Sequence, residues 1–382
     1  MINITDKHKC CGCSACIQKC PKKCITMLQD EEGFYYPNVD VSQCINCGLC
    51  EKVCPFLNSK EAQKPITVYA AKNKNEVKRN NSSSGGVFTA LAETIIAKGG
   101  VVFGAAFTES LEVQHIYVDK IEDLHLLMGS KYVQSDINTT YVQCRTFLEE
   151  NRYVLYSGTS CQIMGLNLFL KKKYDKLLTV DVICHGVPSP GIWKKYIDNE
   201  LKKFSLLPKD IKIQFRDKNT GWENSSFSIY NRQHSTPLKT QVFYRNIYIN
   251  GFLANIIIRP SCYNCPAKNG KAQSDITLAD FWGVNNVYPN LYERKGTSLV
   301  LTHTDKGNDF IKCNDLELGV VDFEKAIAHN PSYKESVKEP DKRKQFFTLY
   351  KKKADTPVED LLSKILHVSL TKRIINKLKR II

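Results

Sequence analysis

The chain has 382 residues, 42% hydrophobic and 24% charged, with sixteen cysteines and a formal net charge of +15. That length exceeds one ordinary domain and can bury a sizeable core. No stretch approaches the roughly 18 apolar residues of a membrane span, MINITDKHK lacks the apolar segment of a secretory leader, and ten cysteines crowd into the first 54 residues, which argues against a secreted disulfide scaffold and for a reducing, cytoplasmic setting.

Two copies of one cysteine run open the chain. Cys10, Cys13, Cys16 and Cys20 precede Pro21, and Cys44, Cys47, Cys50 and Cys54 precede Pro55, each reading C-x2-C-x2-C-x3-C-P. In this bacterial ferredoxin run the fourth cysteine ligates the other repeat's cluster. The pattern predicts one 4Fe–4S cluster on Cys10, Cys13, Cys16 and Cys54, and a second on Cys44, Cys47, Cys50 and Cys20. Three thiolates on a short loop reach three corners of a cubane, and the proline ends the loop without an N–H to satisfy. A zinc or disulfide module would require both full matches to be accidental. Cys11 and Cys24 fall outside the pattern and read as free thiols. Residues 1–60 are therefore expected to form a dicluster ferredoxin module, with 58–65 as a polar linker.

From residue 66 onward strand and helix patterns alternate. Apolar strands are expected at 101–107, 153–156 and 177–183, and helices at 162–173 and 190–204, the second with Pro190 in its first turn. Shorter strands follow at 211–215, 227–230, 240–243, 275–278 and 299–303, while 219–241 has no clear period. The class implied is α+β or α/β: a small bacterial-type dicluster ferredoxin module followed by a mixed α/β domain.

Within that domain, Ser82-Ser83-Ser84-Gly85-Gly86 leads into the apolar run 87–96. Small residues before a helix let backbone amides approach a phosphate, and a serine cap with flexible glycines fits the same pattern. Gly129-Ser130-Lys131-Tyr132-Val133 puts a cation, a hydroxyl and an aromatic ring in one loop, suited to a dinucleotide or to plain solvation. Neither G-x-G-x-x-G nor a Walker A run occurs, so a nicotinamide site of the usual Rossmann kind has no support.

Cys161 sits at a strand-to-helix turn, Cys184 follows the strand 177–183, and Cys262 and Cys265 form a C-x2-C pair. Strand ends converge in α/β folds, so these four could share one site; a third cluster, a zinc ion and unliganded thiols all fit the spacing. Cys144 and Cys313 lie in helix-like context and are expected to be small buried hydrophobes. Residues 215–218 and 279–283 carry charges at the ends of apolar strands, where α/β proteins place ligands.

The end of the chain, 336–382, reads as a basic amphipathic extension. Leu361, Leu362, Ile365 and Leu366 make one apolar stripe; Leu370, Ile374, Leu378 and Ile381 make a second, opposite Lys372, Arg373, Lys377, Lys379 and Arg380. The stripes are out of phase, which predicts a break near Ser369. Such an end could dock on an anionic membrane surface or an acidic partner, or pack on the body with its basic face solvated. Each thiolate-ligated cluster carries about −2 when oxidised, so two clusters lower the net charge to roughly +11 and a third to about +9. Residues 340–382 alone contribute +8. A basic tail on a nearly balanced body is not a nucleic-acid groove, and no nucleic-acid partner is expected.

The segments SSSGGVFTAL, GSKYVQSD, SGTSCQI, DVICHGVPSP, FRDKNTGW, RPSCYNC and SDITLADFWG, in this order within residues 66–335, resemble the coenzyme F420 hydrogenase/dehydrogenase beta-subunit family. Members with an N-terminal ferredoxin module are similar to this chain from Cys10 onward. Related enzymes reduce or oxidise the deazaflavin coenzyme, a plant relative reduces 7-hydroxymethyl chlorophyll, and bacterial relatives often accompany polysaccharide biosynthesis genes. The resemblance implies that 66–335 is a flavin-binding domain, with FAD contacted by Ser83, Ser84, Gly85, Gly86, Lys131, Tyr132 and Val133, and that Cys161, Cys184, Cys262 and Cys265 hold a third 4Fe–4S cluster. Ser160 stands where many relatives have proline, and a small residue there can still make the turn. Nothing carries over to the C-terminal extension.

The expected function is an iron–sulfur flavoprotein oxidoreductase that exchanges electrons between its clusters, FAD and a small organic substrate or deazaflavin-like coenzyme, with a redox partner protein or a small molecule as its counterpart. His185 and Lys131 are the candidates for proton handling, and His185, beside Cys184, is also placed to orient a cluster ligand. The rival readings are an electron-transfer subunit with no substrate of its own, a redox sensor, and a glycan-modifying enzyme whose clusters are structural.

Overall fold

The computed structural model describes residues 1–312, 315–353 and 355–366. Cys313 and the second apolar stripe of the C-terminal extension, with its basic face, lie outside the described residues. The ferredoxin module contains one antiparallel pair, β1 (Ile25–Gln29) and β2 (Tyr35–Val39).

The body is built on an eight-stranded mixed sheet. Its strands are β3 (Thr67–Asn73), β4 (Val101–Phe107), β5 (Val113–Val118), β6 (Val154–Thr159) and β7 (Leu177–Val182). After a separate three-stranded sheet of β8 (Ile211–Asp217), β9 (Ser226–Asn231) and β10 (Pro237–Val242) come β11 (Ile276–Asp280), β12 (Ser298–Thr302) and β13 (Leu316–Val320). The order is β13-β3-β12-β11-β7-β6-β4-β5, with β4, β6, β7 and β11 parallel. This is the mixed α/β class expected.

Side chains alternate across the sheet because the strand period is two. Val101, Phe103, Val154 and Tyr156 point to one face, packed by the helices Thr140–Glu149 and Ser160–Leu170. Val102, Ala106, Leu155 and Val180 point to the other, covered by the helix Val87–Ala97. Cys144 is fully buried on the first face. The segment 219–241 lacks a clear period because it holds two short strands, β9 and most of β10, and the second is broken by a register shift between Pro237 and Lys239.

The ferredoxin module is fastened to that first face. Cys11, Cys13, Ala15 and Val53 join its core. Gln18 Oε1 accepts from the amides of Tyr141 (3.0 Å) and Val142 (3.2 Å), which begin a body helix and have no intrahelical acceptor. The backbone of Gly191 donates to Gly33 at 3.2 Å, and Arg343 forms a buried ion pair with Glu32. The helix Val358–Leu366 packs on the body, with Leu361 and Leu362 fully buried beside Val358, so the first stripe is core and not a free docking face. Among the described residues no helix is long and apolar enough to cross a membrane.

Candidate metal centres and an adjoining cleft

The two cysteine loops fold alike. In the first, Gly12 and Ser14 adopt left-handed backbone (φ 66° and 57°); in the second, Asn46 and Gly48 occupy the same places (φ 52° and 68°). Alternating handedness turns successive amides toward the inside of a loop and makes an anion-binding hollow, which fits a sulfide-rich cluster. The fourth cysteine of each run lies toward the opposite loop. Burial, followed by the nearby Cys10 and Cys54, pushes the Cys16 thiol up to about 12, so Cys54 faces the first loop. Cys20 lines a small hollow with Cys44, Cys47 and Cys50, and so faces the second. Cys24 lines it too, its Sγ 3.5 Å from that of Cys20.

The body thiols also meet. Residues Thr159 and Val182 are partners where β6 lies parallel to β7. Cys161 and Cys184 each stand two residues beyond that register pair, at the same end of neighbouring strands. The 3-10 turn Pro260–Asn264 brings Cys262 to them, with Cys265 directly after it. Burial and then Cys184 are the main causes that raise the Cys262 thiol, with Cys265 and Cys161 adding to them. Cys184 is pushed up to about 12 by burial and, against the pull of Lys268, by Cys161 and Cys265. The amide of Val187 donates to Cys262 Sγ at 3.4 Å, a bond to ligand sulfur that a cluster would use. Among the described residues no three Cys, His, Asp or Glu side chains close in as a single ion requires. A cubane spreads its thiolates over four irons, and the donor set here is all sulfur, as such a cluster prefers.

Cys11 links the two sets. It is 7% exposed, and its thiol interacts first with that of Cys13 and next with that of Cys161. Read from sequence as a spare thiol, it stands between the first ferredoxin loop and the body cysteines.

A cleft of about 600 Å³ opens beside the 82–83 and 129–131 loops, with Phe107, Phe215, Arg216 and Lys218 in its wall. That volume falls within the usual range of small-molecule sites. Ser83 and Lys131 line it, and the two loops are joined, since Ser83 Oγ accepts from Ser130 N at 2.7 Å. Other expected flavin contacts lie elsewhere. Gly85 sits against the sheet, its amide bonded to Ser298 Oγ at 2.9 Å, and Ser84 Oγ donates to the carbonyl of Thr297. Gly86 caps the helix Val87–Ala97 with left-handed backbone. Val133 is buried, and the Tyr132 ring packs among Phe215, Phe243 and Phe252.

The two proton-handling candidates are constrained. Lys131 Nζ donates to the carbonyls of Leu126, Met128 and Gly129 at 3.0–3.2 Å, which makes it a loop clamp rather than a free proton donor. His185 Nε2 lies 2.7 Å from Asn255 Oδ1, with the ring edge-on to Phe252, so the imidazole is held in place beside Cys184. The charged strand ends do converge: Arg216 pairs with Asp280 at 2.9 Å, and Trp222 Nε1 donates to the other carboxylate oxygen at 2.7 Å. The rings of Trp222 and Trp282 stack at 5.3 Å beside them.

Residues 151–326 match the family described as the C-terminal part of the coenzyme F420 hydrogenase/dehydrogenase beta subunit. Residues 9–58 and 40–98 match 4Fe-4S dicluster domains. The chain thus carries a domain of the coenzyme F420 hydrogenase/dehydrogenase beta-subunit type behind a dicluster ferredoxin region. It is 21% identical over 247 residues to one of the subunits of the F(420)H(2) dehydrogenase of Methanosarcina mazei, covering 60% of this chain and 67% of that protein. It is 44% identical over 52 residues to an uncharacterised ferredoxin of Methanocaldococcus jannaschii, covering 14% of this chain and 66% of the ferredoxin. The chain thus spans about two thirds of the length of each of these relatives. Among solved structures, a chain of the F420-reducing [NiFe] hydrogenase complex from Methanosarcina barkeri aligns with 15% identity and a TM-score of 0.45, over 70% of this chain and 91% of that one. The chain is therefore an iron–sulfur protein of oxidoreductase type.

Two residues of the region, Arg259 and His115, escaped the sequence reading, and Cys11 was read only as a free thiol. Cys11 gave only the signal of a doubled cysteine, and Arg259 only that of a cation before Pro260. His115, 2% exposed, bonds Ser157 O at 3.0 Å and Ser135 Oγ at 2.9 Å, behind the turn that presents Cys161. It lies in the unremarkable run VQHIYV, and burial pushes it down to about 4.

Proposed function

We propose that the chain is an iron–sulfur flavoprotein oxidoreductase, with clusters on the two ferredoxin loops, a third on Cys161, Cys184, Cys262 and Cys265, and FAD in the cleft between the 82–83 and 129–131 loops. When bound, FAD supplies exchange of two electrons with a small organic substrate or deazaflavin-type coenzyme, while clusters handle electrons singly. The setting suggested by the family is coenzyme metabolism or polysaccharide biosynthesis. The carrying observation is that Cys11 and Cys13 lie in one core cluster against which Cys161 packs, so both thiol sets border one continuous buried region.

The residues divide the work by chemistry. The left-handed loops aim amides at the ferredoxin clusters, and Val187 N and Lys268 serve the body site. Ser83, Ser130 and the cations Arg216 and Lys218 give the cleft wall the polarity a phosphate-bearing ligand needs. His185, fixed by Asn255, orients the chain next to Cys184 rather than exchanging protons.

The test is iron and flavin content of anaerobically purified protein against a Cys262→Ala/Cys265→Ala variant. About twelve irons and one FAD, falling to about eight irons in the variant, support the reading. Eight irons in both would remove the body cluster. Absence of flavin would leave the alternative, an electron-transfer subunit serving a partner enzyme, a role the name of the Methanosarcina mazei relative also suggests.

A further inference from the structure

Four arginines are buried, and three of them have a carboxylate: Arg79 with Glu293, Arg216 with Asp280 and Arg343 with Glu32. The fourth, Arg259, is the most buried at 0% exposure, and among the described residues no carboxylate pairs with it. A buried, uncompensated cation carries a desolvation penalty of several kcal/mol. Its position therefore calls for an anion.

Its contacts say which one. Arg259 Nε donates to the carbonyl of Cys10 at 2.6 Å, and Nη2 donates to Cys10 Sγ at 3.5 Å. Nη1 donates to Gln134 Oε1 at 3.0 Å and Nη2 also to Tyr35 O at 2.9 Å, both neutral. A β-carbon on Gly12 would stand 2.9 Å from Nη1, so the first cysteine loop admits the guanidinium only because that position is glycine. The same arginine lies three residues before Cys262, at the start of the turn that carries the body thiols.

We propose that Arg259 is the counter-ion of the cluster on Cys10, Cys13, Cys16 and Cys54, and that it sets that cluster's reduction potential; the inference rests on Cys10 being a ligand. The physical argument has a sign. A thiolate-ligated cluster is anionic, and one-electron reduction, with no bond made or broken, leaves it more anionic still. A fixed cation and an N–H bond to ligand sulfur stabilise the reduced form more than the oxidised form, so they raise the potential. Arg259 thereby makes the ferredoxin cluster nearest the body a better electron acceptor, and it is a positioning and tuning residue rather than a catalytic one.

The test is a dithionite titration of the intact holoprotein with redox mediators, followed by EPR, on wild type, Arg259→Lys and Arg259→Gln, with iron counted in each. In Arg259→Gln the reduced-to-oxidised ratio of one cluster at a fixed potential should drop at least about tenfold, a midpoint about 59 mV more negative for a one-electron couple. The remaining clusters should be unmoved, and Arg259→Lys should recover part of the change. If Arg259→Gln sheds that cluster while Arg259→Lys retains it, the requirement for charge is supported. Unchanged midpoints in a fully loaded Arg259→Gln, or loss of the cluster from both variants alike, would overturn the inference. Cys10→Ala, which leaves no donor atom, separates the two levels: it should lose about four irons. If it keeps all of them, the ligand reading falls and the role of Arg259 with it; if it loses them while Arg259→Gln titrates like wild type, only the role of Arg259 falls.

Discussion

The Sγ of Cys13 lies 2.9 Å from the point where a β-carbon on Gly165 would stand. Gly165 is in the middle of the helix Ser160–Leu170, whose second residue is Cys161. One helix thus presents a body thiol at its start and makes room for a ferredoxin thiol one turn later. Helical glycine costs about 1 kcal/mol relative to alanine, and here that cost has a steric reason.

Gly165→Ala should therefore destabilise the protein despite the better helix propensity of alanine. Overpacking of a filled core costs about 1–3 kcal/mol, and under the proposed function the sulfur in the way would hold a cluster and could not turn aside without distorting it. Chemical denaturation of the holoprotein and its iron count read this directly. Wild-type stability and iron in Gly165→Ala would mean that the docked face yields easily.

Asp280 is the only carboxylate among the described residues that pairs with the buried Arg216, and it also accepts from Trp222 Nε1. Asp280→Asn keeps the shape and removes the charge. Breaking one partner of a buried pair costs about 3–5 kcal/mol, so the variant should unfold at markedly lower denaturant. Because Arg216 lines the cleft, flavin content should fall in parallel. A variant of full stability and full flavin content would show that Arg216 finds its compensation elsewhere.

Lys218 gives a pH dependence with a definite sign. Its ammonium donates to the carbonyls of Arg79, Ser84 and Lys295, yet burial, helped by Arg216 and Arg79 and opposed by Asp280, pushes its pKa from 10.5 down to about 7. Between these two values the unfolded chain holds the proton more firmly than the folded one, so stability rises with pH across that window and is lowest below it. Replacing Lys218 by methionine should lower stability throughout and flatten the rise between pH 7 and 10. Denaturation midpoints at several pH values for both proteins decide it; parallel profiles would refute the shift.

How much could be read beforehand depended on how local the determining contacts are. The ferredoxin loops were legible because eight cysteines sit at fixed spacing in 45 residues. Cys161 and Cys184 were legible as strand-end residues because β6 and β7 are apolar runs in a parallel register, and that register alone brings them level. The strands β3, β5 and β13 were missed; the first of these, TVYAAKN, is a short mixed run whose partners β12 and β13 lie more than 200 residues away. Arg259 was missed for the same reason: its sulfur partner is 249 residues distant, and one arginine before a proline signals nothing. Tyr132 was grouped with its loop neighbours, but an aromatic ring next to a polar loop has a choice, and the cluster of Phe215, Phe243 and Phe252 took it. Of the flavin contacts that the resemblance implies, Ser83 lines the cleft while Ser84, Gly85 and Gly86 do not.

The repeat in the ferredoxin module is close to symmetric in backbone, position for position, yet its halves lead different lives. Cys11 in the first loop is 7% exposed and walled in by the body; its counterpart in the second loop, Ile45, is 57% exposed, and Cys47 beside it is open to solvent. Docking by one half gives a duplicated unit a front and a back. Traffic with the outside world has one face left to it, and a visitor arriving there meets an apolar side chain and a sulfur, while the opposite face is turned permanently inward.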